Sequence, residues 1–86
     1  DLVGHGVGYA VHEDPAIPNY FDERLPPVVI KEGLVLAIEP MFTLGDWRIV
    51  LGQDGWTIKS ADNSLAAHFE HTVIVTKNGS YITTAV

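Results

Sequence analysis

The chain has 86 residues, no cysteine, and eleven acidic side chains against five basic ones, for a formal charge of -6. Disulfides and thiolate zinc sites are excluded, and nucleic acid is an unsuitable partner because Arg24, Lys31, Arg48, Lys59 and Lys77 are scattered where phosphate binding needs clustered positive charge. No apolar run approaches the roughly 20 residues that cross a bilayer, so the reading is one small soluble unit, cytoplasmic, with no membrane partner.

The chain opens on Asp1 and runs at once into "GHGVGYAVHEDP" at residues 4–15, too glycine-rich for a stable helix. With no preceding element to support that motif, it reads as part of a longer polypeptide. Residues 12–27 contain Pro15, Pro18, Pro26 and Pro27 and are expected to form a loop, since each proline removes a donor and disfavours helix before it. "VVIKEG" at 28–33 reads as a short strand closed by a turn. "LVLAIEPMFTL" at 34–44 reads as a buried strand from its branched apolar content, with Pro40 marking an edge or a bulge.

Two hairpins follow. "RIVL" at 48–51 and "WTIK" at 56–59 flank the turn signal Asp54-Gly55, and "HFEHTVIV" at 68–75 and "SYIT" at 80–83 flank Lys77-Asn78-Gly79. Between them, residues 61–67 could form one helical turn. Mostly antiparallel sheet is the expectation.

Three side chains sit where folding alone would not put them. Glu39 is the only charge in its eleven-residue apolar run, and an isolated carboxylate there costs several kcal/mol or takes up a proton. Glu70 poses the same problem between Phe69 and the run Thr72 to Val75; strand alternation sets it on the face opposite His71. His5 lies between Gly4 and Gly6, where the backbone can turn sharply. One histidine and two carboxylates suit a hard or borderline divalent ion, with a buried ion-pair network as the alternative. His68 and His71 are read as exposed and structural, and Gly33, Gly55 and Gly79 as turn residues.

Taken in order, "GHGVG", "HEDP", "KEGLVLAIEPMF", "DGWT" and "SLAAHFEHTVIVTKNG" closely resemble the C-terminal half of a type I methionine aminopeptidase, over nearly all of the chain. The resemblance implies an α+β pita-bread fold, with residues 1–86 forming the antiparallel, sheet-dominated half of one metallopeptidase catalytic domain. It implies a site holding two divalent ions (Mn, Fe, Co or Zn), with His5 and Glu39 on one ion and Glu70 bridging both. It further implies that Glu39 moves the proton during hydrolysis, that His12 hydrogen-bonds the substrate near the scissile bond, and that Val11 and Trp56 line the pocket for the methionine side chain.

The function implied is removal of the N-terminal methionine from nascent proteins. The family's two aspartate ligands and a further histidine match nothing here, so they are expected in an N-terminal half that is this chain's structural partner. Without them the chain is expected to be inactive alone. Two alternatives are a proline-specific peptidase of the same fold and a metal-free pita-bread binding module. "EPMF" followed by "DGWT" favours the methionine enzyme over the first, and the presence of all three expected ligands argues against the second.

Overall fold

The computed structural model describes all 86 residues as nine short strands and no helix. They are β1 (Gly4–Gly6), β2 (Glu13–Ile17), β3 (Val35–Ile38), β4 (Met41–Thr43), β5 (Ile49–Leu51), β6 (Ile58–Ser60), β7 (Ala66–His68), β8 (His71–Thr76) and β9 (Gly79–Ile82). A five-stranded antiparallel sheet runs in the order β2-β1-β3-β8-β9, with two-stranded ribbons β4-β7 and β5-β6 beside it. Of the expected α+β architecture, this chain supplies the sheet.

The ribbons and the sheet are parts of one long hairpin. Val35 pairs with Ile74 and Ile38 with His71; after a two-residue break in each strand Met41 pairs with His68 and Thr43 with Ala66; after a second break Ile49 pairs with Ser60 and Leu51 with Ile58. The breaks are equal in length on both sides, so one register persists from end to end. It places Glu39 opposite Glu70 and Pro40 opposite Phe69, and the Phe69 N–H donates to the Pro40 carbonyl at 3.2 Å. Pro40 has no N–H to return, and the ladder is interrupted there.

The hairpin turns where the sequence marks it. Gly52 N–H donates to the Thr57 carbonyl at 2.6 Å, Gly55 takes φ 71°, and Asp54 Oδ1 accepts the N–H groups of Trp56 and Thr57 at 2.9 and 2.8 Å. At the other end β8 and β9 are joined through Lys77 and Asn78, with Thr76 paired to Gly79.

Three expectations are corrected. Residues 13–17, read as loop, form β2: Pro15 sits where the register shifts between His5 and Gly6, on an edge strand, where a missing donor costs little. Val28 to Ile30, read as a strand, pair with nothing and stand exposed, because both flanks of β3 are already taken by β1 and β8. Residues 61–67 form no helical turn. Asp62 accepts the N–H groups of Asp46 and Ser64 at 2.8 and 3.0 Å, Asn63 adopts φ 60°, and β7 begins at Ala66; local carboxylate bonding of this kind competes with helix.

β1 is threaded closely between its neighbours. A side-chain carbon at Gly4 would strike the carbonyl of Ala37, and one at Gly6 that of Asp14, so only glycine lets the three backbones approach as they do. These two glycines, with Leu36 (6% exposed) and Ala37 (2%), are the only buried residues of the chain. The accessible surface is 7049 Å², against about 5000 Å² for a compact monomer of this mass. The radius of gyration is 14.8 Å, against roughly 12 Å for a compact chain of this length. The molecule is an open sheet with its apolar faces largely uncovered.

Candidate metal centre

The site forms where β1 meets the first break of the hairpin. His5 pairs with Ala37, and Ala37 with Thr72, so the three share one face of the sheet. Glu39 lies two residues beyond Ala37 and Glu70 two before Thr72, on that same face. Their convergence is direct: one ligand atom from each of His5, Glu39 and Glu70 lies within 4.8 Å of the others.

The orientation of His5 is fixed by the backbone. Its Nδ1 lies 2.7 Å from the carbonyl of Gly6, which can only accept, so Nδ1 carries the hydrogen. In the neutral ring Nε2 then presents a bare lone pair, and that atom faces Glu39 Oε1 at 3.2 Å. A lone pair set against a carboxylate oxygen, with a second carboxylate opposite, calls for a cation. A metal ligand whose other ring nitrogen is tied to a carbonyl is the arrangement a divalent ion requires. The residues present therefore fit such an ion.

Of the remaining site residues, His12 stacks at a tilt on His5, with ring centroids 4.2 Å apart and planes at 41°. A concavity of about 850 Å³ opens beside them, walled by His5, His12, Glu39 and His68 together with apolar side chains that include Met41, Phe42 and Trp47. Val11 and Trp56 are not in that wall. They are 72% and 86% exposed, and no element of this chain covers them.

His71, read as structural, faces away from the centre; its Nδ1 lies 2.8 Å from Thr84 Oγ1. His68 was given no role by the sequence reading, yet its Nε2 lies 3.2 Å from Glu39 Oε2. The signal was present in "HFEH": His68 and Glu70 are two apart and so share a face by alternation.

Comparison with known proteins gives the family. The profile of metallopeptidase family M24 matches residues 1–77. The chain belongs to metallopeptidase family M24. Among curated relatives, the methionine aminopeptidase of Mycoplasma capricolum is 48% identical over 86 residues, covering 98% of this chain and 33% of its own length. That of Escherichia coli K12 is 47% identical over 84 residues, covering 98% and 31%. The crystal structure of methionine aminopeptidase from Thermotoga maritima superposes with a TM-score of 0.92 at 53% identity, over 100% of this chain and 34% of that one. This M24 chain thus has the sheet of the methionine aminopeptidase fold, and it spans about a third of the length of the relatives it matches. Membership in a metallopeptidase family accords with a site for divalent metal.

Proposed function

We propose that this chain is the C-terminal half of the catalytic domain of a cytoplasmic methionine aminopeptidase, which removes the first residue of nascent proteins. The observation that carries the reading is the convergence of His5, Glu39 and Glu70 within 4.8 Å, with the His5 lone pair turned inward. Identities near 47% to relatives of that name support the substrate.

In this reading His5, Glu39 and Glu70 would hold divalent metal, with two aspartates supplied by the N-terminal half. Divalent ions in such a site supply Lewis acidity, which lets water ionise near neutral pH and polarises the scissile carbonyl. Glu39, in the wall of the concavity, takes the proton of the attacking water and returns it to the leaving amine. His12 donates a hydrogen bond to the oxygen on which charge develops. Val11 and Trp56, uncovered here, form the methionine pocket together with the rest of the polypeptide; apolar walls suit a thioether.

The test is a peptide panel on the full-length protein that carries this chain. Cleavage of Met-Ala peptides with Xaa-Pro peptides left intact is the expected result. Comparable cleavage of both classes would move the assignment to a proline-specific peptidase.

A further inference from the structure

Beyond the three ligands, Glu39 has a second neighbour whose position has consequences. Its two carboxylate oxygens are engaged separately: Oε1 faces His5 Nε2 and Oε2 faces His68 Nε2, each at 3.2 Å. The two contacts differ in kind. His5 has its hydrogen committed to the Gly6 carbonyl on the far side of the ring, so its Nε2 and Glu39 Oε1 are both lone-pair atoms turned toward the same point. The His68 side chain makes no hydrogen bond elsewhere, and its Nε2 lies at ion-pair distance from Oε2.

The backbone explains how His68 reaches this place. It closes β7 opposite Met41, and Glu39 lies two residues before Met41, so His68 and Glu39 are diagonal neighbours on one face across the break. The Glu39 side chain is 14% exposed and that of His68 47%, which places the donor on the open side of the carboxylate and the ligand position on the closed side.

We propose that His68 is a positioning residue: with an ion in the site, its Nε2, 3.2 Å from Glu39 Oε2, donates to that oxygen and so makes Glu39 offer a single oxygen, Oε1, to the ion beside His5. This rests on the reading of His5, Glu39 and Glu70 as metal ligands. Without the donor, the carboxylate is free to rotate about its terminal torsion, to present both oxygens, or to swing away from Glu70, opposite it across the break.

The experiment compares wild type, His68→Gln and His68→Leu in the full-length protein, titrating the metal-free protein with Co²⁺ and recording the visible absorption spectrum. Glutamine keeps an N–H donor and leucine does not. Loss of a partner that orients a ligand costs about 10-fold to 100-fold in metal affinity. His68→Leu is therefore expected to weaken Co²⁺ binding by about 10-fold and to alter the band, while His68→Gln stays within about threefold of wild type. Melting temperatures in chelator should agree within about 2 °C, since His68 is half-exposed. Wild-type affinity and spectrum in His68→Leu, or a His68→Gln protein as impaired as the leucine variant, would overturn the proposal. A control His5→Ala that binds Co²⁺ like wild type would instead overturn the ligand reading, and this inference with it.

Discussion

Glu39 and Glu70 occupy opposite positions in the first break of one continuous hairpin, so two carboxylates face each other where cross-strand partners are normally apolar or of opposite charge. Like charges directly opposite destabilise a sheet by a few tenths to about 1 kcal/mol. The opposed pair thus withholds stability that a cation bound between the two carboxylates would restore.

Glu70→Gln should consequently raise the melting temperature of the full-length protein in chelator while abolishing most of the rise that Mn²⁺ gives to wild type. Scanning fluorimetry with and without the metal reads both effects. A variant that melts lower in chelator, and still gains fully from Mn²⁺, would show that the opposed pair is not the metal site.

The glycines around His5 are set by backbone clearance. Gly4→Ala and Gly6→Ala each drive a methyl group into a carbonyl, of Ala37 and Asp14 respectively, and are expected to cost about 1–3 kcal/mol in urea unfolding. Gly8→Ala meets only the end of the Glu13 side chain, with Oε2 at 2.8 Å, and should cost less than either. Equal losses at all three positions would contradict the account of β1.

Two loop carboxylates report on the hairpin from a distance. The Thr57 hydroxyl, with the Thr57 and Trp56 N–H groups, lowers Asp54 to about 2, and the Asp46 N–H, with Ser64, lowers Asp62 to about 2. Both folded values lie below the unfolded 3.8, so the stability these groups add is present above pH 3.8 and is lost as the pH falls toward 2. Carbon-detected NMR titration should give midpoints near 2 for both. Midpoints near 3.8 would mean that the two turns are not formed in solution.

The open face of the sheet predicts the behaviour of the 86 residues alone. Phe42, Leu44, Trp47 and Trp56 are all more than 60% exposed, with about 2000 Å² of surface beyond that of a compact monomer. The isolated chain is expected to self-associate and to bind a hydrophobic dye. A monodisperse monomer by sedimentation, with a sharp cooperative melt, would contradict this.

Much of the site was legible because charge in an apolar run needs a reason. Glu39 and Glu70 stood out on that ground, and alternation separated Glu70 from His71. The turns at Gly55 and before Gly79 were equally plain, since backbone with positive φ selects glycine. What the sequence concealed was tertiary. β2 survives Pro15 only because it lies at the sheet edge, and Val28 to Ile30 form no strand only because β3 has no free flank. Turn signals alone could not reveal that both breaks in the hairpin are equal on their two sides, and on that equality rests the opposition of Glu39 to Glu70. Alternation in "HFEH" sets His68 on the face of Glu70, but its place beside Glu39 follows only from the same register.

The most direct test is calorimetric titration of the metal-free, full-length protein with Mn²⁺, comparing wild type with His5→Ala and Glu70→Ala. Saturable binding in wild type that is lost or weakened at least tenfold in both variants is the predicted result. Binding that survives both substitutions unchanged would place the metal elsewhere and contradict the assignment of His5, Glu39 and Glu70 as its ligands.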